Sequence, residues 1–292
     1  MIQNYKGIIY VFLSAFCFSF AGVLLKSVTW PSIATNGGRC FFSFFTILVF
    51  MKLTGCRFKF NGRVLNGAIV IAAMNMTFTM ANKMTTAANA IVLQFTMPLF
   101  IILLNVLLYK KKPTRIEILC SIGVFGGILF FFIEKLSTQG MIGNFMAILS
   151  GALYAVVFLM KRFPGANYES SILISCVISF IVGISWYGSV EWTPENIAFL
   201  AASGILQNGL GFVFLSLGLA QVSAIAAALI STIEPVLNPI WTMLAFGEMI
   251  GPMAFIGAAM VLISSLAYNI LSSRKSSGHK TYPSQPSYPE RN

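Results

Sequence analysis

The segment Thr86–Tyr109, TAANAIVLQFTMPLFIILLNVLLY, carries no charge across 24 residues and has Pro98 at its centre. As a helix rising 1.5 Å per residue it is long enough to cross a hydrocarbon core about 30 Å thick. A second segment, Ser223–Phe246, SAIAAALISTIEPVLNPIWTMLAF, echoes it. Setting Pro98 against Pro235 aligns Thr86 with Ser223, Ala87 with Ala224 and Ala90 with Ala227. Where the first copy has Met97 before its proline, the second has Glu234. A carboxylate midway through a membrane-length apolar run needs a physical reason.

Composition extends this reading to the whole chain. Of 292 residues, 9 % are charged and 57 % apolar. Soluble domains are about a quarter charged, and no soluble fold of this length hides so much apolar surface. The chain reads as an all-α integral membrane protein. Its net charge of +11 lies in short loops and the C-terminal tail, which is how membrane topology is encoded, so no nucleic-acid surface is implied. The cysteines (Cys17, Cys40, Cys56, Cys120, Cys176) form no C-x-x-C pair and read as small buried apolar residues. The first apolar run, Gly7–Leu25, is longer than a signal-peptide core and lacks a small-residue cleavage site, so it reads as a span.

Membrane-length apolar runs number ten: 7–27, 33–53, 64–83, 86–108, 115–133, 140–161, 168–189, 195–218, 222–246 and 250–271. Short connections make neighbouring spans antiparallel. One side receives Lys6, Lys52, Arg57, Lys59, Arg63, Lys110, Lys111, Lys112, Arg115, Lys161, Arg162, Arg274 and Lys275. The other has only Lys26, Lys83 and Lys135, with Glu134, Glu191, Glu195 and Glu248. The first side is therefore expected to be cytoplasmic, with both termini there. Residues 272–292, rich in Ser, Pro and charge, read as a disordered tail containing the chain's only histidine, His279.

A second anchor supports an internal repeat. Gly7, Leu13, Ser14 and Lys26 of the first span meet Gly143, Leu149, Ser150 and Arg162 of the sixth. Two five-helix units follow, 1–135 and 136–271, and an odd number of spans per unit inverts the second relative to the first. Inverted repeats of this kind characterise secondary transporters, whose substrate sites lie at the repeat interface near the midplane.

Polar side chains inside a bilayer are costly and face a bundle interior or a water-filled cavity. Asn75, Gln94, Gln207, Asn208 and Glu234 fall at mid-span; Asn89 and Asn238 lie a turn or so away, and Tyr154 slightly to the cytoplasmic side. These are the candidate substrate-binding residues, with Glu234 as the proton- or cation-coupling group. An ionised carboxylate at that depth costs at least about 2.5 kcal/mol, which links its charge to a proton or to substrate. The plainer alternative is a neutral Glu234 donating to a carbonyl freed by Pro235. Pro98 and Pro235 are expected to kink their helices. Arg39, early in the second span, either meets an anionic substrate or snorkels to the interface, and Lys26 reads as an interfacial anchor. Gly123-x-x-x-Gly127 gives the fifth span a smooth face for close packing, within the chain or in a homodimer. Phe12, Phe16, Phe18, Phe20, Phe41, Phe42, Phe44 and Phe45 read as lipid-facing or core.

The sequence has no aspartate, no histidine within a span, and none of H-E-x-x-H, G-x-x-x-x-G-K-[ST] or G-x-S-x-G. Metalloprotease, aspartate-dependent transferase and self-contained ATP-driven pump chemistries lose support, and no metal or cofactor site is indicated. An intramembrane transferase remains the alternative of another class.

The ninth and tenth spans, IEPVLNPIWTMLAFGEMIGPMAFIGAAMVLI, resemble the drug/metabolite transporter superfamily in its ten-span EamA-type branch. The resemblance rests on Glu234-Pro235, then Gly247-Glu248, then Gly257. AANAIVLQFTMPLFIILLNVLLYKKKPTRIEILCSIGVFGGIL resembles the matching part of the first repeat, with Lys110–Lys112 where the family often carries a Gly-Glu pair. Lys26 and Arg39 also sit where that family places such residues. The resemblance covers about residues 7–271. It implies ten helices, a cavity lined by the first, third, fourth, sixth, eighth and ninth, and export or exchange of small metabolites across a cytoplasmic membrane. Together the observations imply a secondary transporter of a small polar or amphipathic metabolite (an amino acid, amine, nucleoside-like or vitamin-like compound) by alternating access. The alternative within transport is an anion or phosphorylated-metabolite exchanger using Arg39 and Lys26.

Overall fold

The computed structural model describes residues 2–109, 115–134, 138–160, 165–222, 227, 230–231, 233–247 and 251–276. The charged loop residues Lys110–Lys112, Lys135, Lys161, Arg162 and Glu248, and the tail from 277 onward, lie outside them. Among the described residues the chain is helical and contains no strand. The helices are α1 (Ile2–Ser19), α2 (Ala21–Ser27), α3 (Ser32–Thr54), α4 (Gly62–Met84), α5 (Ala87–Gln94), α6 (Met97–Tyr109) and α7 (Arg115–Glu134). There follow α8 (Thr138–Met160), α9 (Tyr168–Gly183), α10 (Pro194–Ala202), α11 (Gly211–Leu219), α12 (Glu234–Phe246) and α13 (Pro252–Ser276).

Seven stretches are long and apolar enough to cross a membrane, among them Ser32–Thr54, Gly62–Met84 and Pro194–Leu219. Of the remaining expected spans, the fifth and tenth correspond to α7 and α13, with described apolar cores Ile118–Gly127 and Phe255–Ser264. In the ninth, Ala227, Ile230 and Ser231 are helical, Ile233 lies in a turn and a helix runs from Glu234 to Phe246, while α13 continues to Ser276, past the expected limit of 271. Many large apolar side chains point outward, including Val49, Leu107, Leu119, Ile122, Phe125, Ile181, Leu244 and Ile263. Such a surface suits hydrocarbon, where every backbone polar group must be satisfied within the fold. The protein is a multi-pass membrane protein.

Local chemistry sets the helix ends. Asn61, Thr86, Asn167 and Thr193 are N-caps, each accepting a hydrogen bond from the backbone N–H three residues on, at 2.9, 3.1, 2.8 and 3.2 Å. Pro194 follows its cap at the first helical position, where a missing N–H costs nothing. Gly55 closes α3 in the left-handed conformation, φ +66°.

Packing pairs the elements in a regular way: α4 with α8, α1 with α11, α3 with α9, α7 with α13, and α5 with α12. The buried hydroxyls repeat the pattern. Ser14 on α1 donates to the Gly211 carbonyl at 2.8 Å, and Ser150 on α8 to the Met74 carbonyl at 3.1 Å. At one end of the bundle, Lys83 at the end of α4 donates to the Val28 carbonyl, while Lys26 on α2 donates to Thr85 at 3.2 Å.

Two spans depart from regular helix. In the fourth, α5 ends at Gln94, residues 95–96 form a turn, and α6 restarts with Pro98 in its first turn. The expected kink is instead a break, because a proline is tolerated best where no helical N–H is needed. Likewise α12 begins at Glu234 with Pro235 in its first turn, and the proline inside that helix is Pro239. In the eighth span, Ser203–Leu210 between α10 and α11 is a π-helix, a form frequent at functional sites.

The π segment lies hard against α3, where a β-carbon on Gly204 would come 2.2 Å from the Arg39 carbonyl. Gly204→Ala is therefore expected to destabilise the protein by about 1–3 kcal/mol, as overpacking does. Gly188→Ala, at a position with open space around it, should leave the detergent-solubilised melting temperature unchanged.

Candidate functional site

At the centre of the bundle five polar side chains from five expected spans meet around one cavity. Asn75 comes from α4, Gln94 from the end of α5, Tyr154 from α8, Gln207 from the π segment and Glu234 from the start of α12. Phe18, Met74, Phe78 and Phe212 complete the wall. The cavity holds about 30 Å³, room for a water molecule or two and no more.

Glu234 is 5 % exposed, and among the described residues its carboxyl has no hydrogen-bond or ion-pair partner. The alternative expectation, a neutral Glu234 donating to a carbonyl freed by Pro235, thus has no counterpart among the described contacts. Gln94 donates from Nε2 to the Ser150 hydroxyl at 2.8 Å, and that hydroxyl donates onward to the Met74 carbonyl. Helices α5, α8 and α4 are thereby joined at cavity level. A β-carbon on Gly151 would meet the Gln94 carbonyl at 2.6 Å, so α5 and α8 approach closely at this point.

Arg39 corrects the sequence reading most. Its side chain does not snorkel to the interface; it is 0 % exposed. Its Nη1 donates to Gln207 Oε1 at 2.8 Å, and Nε and Nη2 donate to Asn36 Oδ1 at 3.2 and 3.0 Å. Nη2 also reaches the Asn75 carbonyl at 3.3 Å and its Oδ1 at 3.4 Å. The snorkelling expectation took the distance of the α-carbon from the helix end as decisive. Asn36, one turn earlier on α3, together with acceptors from α4 and the π segment, turns the stem inward instead. Thr79 joins the network, its hydroxyl donating to the Asn75 carbonyl at 2.8 Å and lying 3.3 Å from Asn36 Oδ1.

Three candidates lie outside the cavity. Asn208 donates to Ser43 on α3 at 3.0 Å. Asn89 reaches Thr85 and Asn144, each at 3.4 Å. Asn238 is fully buried beside Gly22, with neither amide atom hydrogen-bonded among the described residues. Lys26 is also not part of the cavity wall, being engaged with Thr85 at the end of the bundle. Phe18, Phe78, Phe212 and Met74 were not legible as site residues, because an apolar side chain in an apolar span gives no signal of which way it faces. Phe18 and Phe212 meet edge-to-face at 5.3 Å.

Membrane-spanning helices that bring three amides, a phenol and a carboxyl group to one cavity wall make a site for a polar molecule within the bilayer, as transporters require. The EamA-like transporter family model matches residues 5–133 and again 141–270. The chain belongs to that family. It is 23 % identical over 265 residues to an uncharacterized transporter of Archaeoglobus fulgidus, covering 88 % of this chain and 93 % of the relative. It is 21 % identical over 198 residues to the uncharacterized transporter YwfM of Bacillus subtilis, covering 65 % of this chain and 66 % of that protein. The fold is similar to that of a crystallised protein at a TM-score of 0.68 and 15 % identity, covering 93 % of this chain and 99 % of the other.

Removing the Ser150 hydroxyl leaves the buried Gln94 Nε2 without its acceptor, while the Met74 carbonyl keeps its place in α4 beside the Thr77 hydroxyl. Ser150→Ala is expected to cost about 1–3 kcal/mol, the penalty for a buried polar group left unpaired. Thermal unfolding of the purified protein measures it, against Ser189→Ala, which removes an exposed hydroxyl.

Proposed function

We propose that the protein is a secondary active transporter of a small polar or amphipathic metabolite, working by alternating access across the cytoplasmic membrane. The observation that carries this reading is the convergence of Asn75, Gln94, Tyr154, Gln207 and Glu234 on one small cavity. A static membrane scaffold gains nothing from five mid-depth polar groups, each costly in hydrocarbon. The cavity is too small for a metabolite, so substrate enters only when the helices move apart, alternately toward each side of the membrane.

The architecture we infer is ten spans in two inverted five-helix repeats, 1–135 and 136–271, followed by a cytoplasmic tail, with the N-terminus also cytoplasmic. Several features support it. The family model matches the chain twice. Exchanging the first unit for the second turns the pair α4 with α8 into α11 with α1, and the other pairings map onto themselves. Ser14 and Ser150, equivalent by sequence, each donate to a carbonyl on the equivalent partner span. Both proline-bearing spans have Pro98 or Pro235 in the first turn of a half-helix. Broken helices of this kind place helix termini at midplane binding sites in transporters.

Asn75, Gln94, Tyr154 and Gln207 then bind substrate, and Glu234 is the coupling group. Its charge needs either a proton or a cationic group of the substrate, because no cation faces it among the described residues. Occupation by one excludes the other, so proton movement is coupled to substrate movement. Lys26 and Arg39 are committed to protein acceptors, which leaves the anion-exchanger alternative without a free cation at the cavity among the described residues.

Reconstituted in proteoliposomes, the wild-type protein should accumulate substrate when a proton gradient is imposed. Glu234→Gln should abolish that stimulation and retain counterflow. Stimulation that persists unchanged in the variant overturns the assignment of Glu234.

A further inference from the structure

The buried network around the cavity does more than hold helices together, because two of its members can act in only one direction. A guanidinium has donors and no acceptor. The amide atoms that face Arg39 must therefore be oxygens, which fixes Gln207 Oε1 and Asn75 Oδ1 toward it. Their NH2 groups are turned elsewhere. Gln207 Nε2 has no partner among the described residues, and Asn75 Nδ2 is buried and unpartnered. Both residues line the cavity.

The opposite polarity is fixed in the same way from the other side. A backbone carbonyl can only accept, so the single proton of Ser150 goes to the Met74 carbonyl. Toward Gln94 the hydroxyl must then accept, which commits the Gln94 amide to presenting Nε2 there, at 2.8 Å. Gln94 Oε1 is left as an acceptor on the same cavity as the unpartnered Glu234 carboxyl.

We propose that the cavity is polarised to take a zwitterion, a molecule carrying one carboxylate and one ammonium group beside an apolar side chain. The carboxylate lies against Asn75 Nδ2 and Gln207 Nε2, with the positive charge of Arg39 behind them; the ammonium lies against Glu234 and Gln94 Oε1. The apolar side chain packs on Phe18, Phe78 and Phe212. The charge balance supports this. Arg39 and Glu234 are both buried and form no ion pair among the described residues, and a zwitterion inserted between them brings a counter-charge to each while adding no net charge. Burying an unpaired ion is what makes such sites costly. A simple amine would serve Glu234 and leave two donors unpaired; a simple anion would leave the carboxylate unpaired. Arg39 is a positioning residue here, acting through the two amides it orients.

The inference rests on the transport reading, and counterflow in proteoliposomes with a matched set of probes separates the two. Leucine, methionine and phenylalanine are compared with leucine methyl ester, which keeps only the ammonium, and N-acetyl-leucine, which keeps only the carboxylate. Exchange of at least one free amino acid should exceed that of both derivatives by about tenfold or more, the least that one charge-assisted hydrogen bond contributes. Asn75→Leu should erode discrimination against the ester, and Glu234→Gln discrimination against the N-acetyl compound, with a cooperative thermal melt reporting that each variant folds. An ester or N-acetyl compound exchanged as well as the amino acids by the wild-type protein overturns the zwitterion assignment and leaves transport standing. Loss of both discriminations together in Asn75→Leu overturns the placement of the two ends. Failure of all five probes, with exchange of other amines or anions, overturns the inference alone; failure of every small molecule tried overturns the transport reading as well.

Discussion

A guanidinium held away from water and, among the described residues, from any carboxylate is the constraint on which the centre of this protein depends. Arg39 reaches Asn36 on its own helix, Asn75 on α4 and Gln207 on the π segment. Removing a partner from a buried charge is far more costly than losing a surface contact. All these contacts must therefore be kept together, which ties three elements distant in sequence to one point. The close approach of Gly204 to the Arg39 backbone serves the same end, because a side chain there would push the π segment away.

The cavity follows from that fixed point and from two broken helices. The break at residues 95–96 ends α5 on Gln94, at the level of Ser150 and Met74. The start of α12 places Glu234 in a first helical turn, where the helix dipole favours negative charge. Continuous helices through either proline would carry a backbone defect at mid-depth. Breaking the helix before the proline moves the defect to positions whose polar groups can face a cavity.

Much of this was legible in the sequence because hydrocarbon is an unforgiving solvent. Apolar run length marks the membrane-spanning helices, and the polar residues at or near mid-depth include Asn75, Gln94, Tyr154, Gln207 and Glu234, which meet at the cavity. What depth could not supply is direction around each helix. Asn208 is as deep as Gln207, yet it faces Ser43. Asn89 and Asn238 are directed elsewhere, and Phe18 reaches the cavity although nothing distinguishes it from its phenylalanine neighbours. Arg39 was read from the position of its α-carbon alone, whereas the acceptors that draw it inward come from segments 36 and 168 residues away. The breaks before Pro98 and Pro235 were readable as disturbances and not as new helix starts, since a proline alone does not say on which side of it a helix ends.

The π segment has a consequence for how one span can serve two neighbours. Seven residues make nearly two full α-helical turns, with a drift of about 20°, so residues seven apart on a regular helix look the same way. Gly211 and Gly218 obey this, and both lie against α1, at Phe18 and Val11. Gly204 and Gly211 are also seven apart, yet Gly204 lies against α3. The wider turns between them act as a phase joint. Upstream, the span keeps time with α3; downstream, it keeps time with α1. A regular helix would have to misalign one of the two seams, and the site sits at the residue where the rhythm changes.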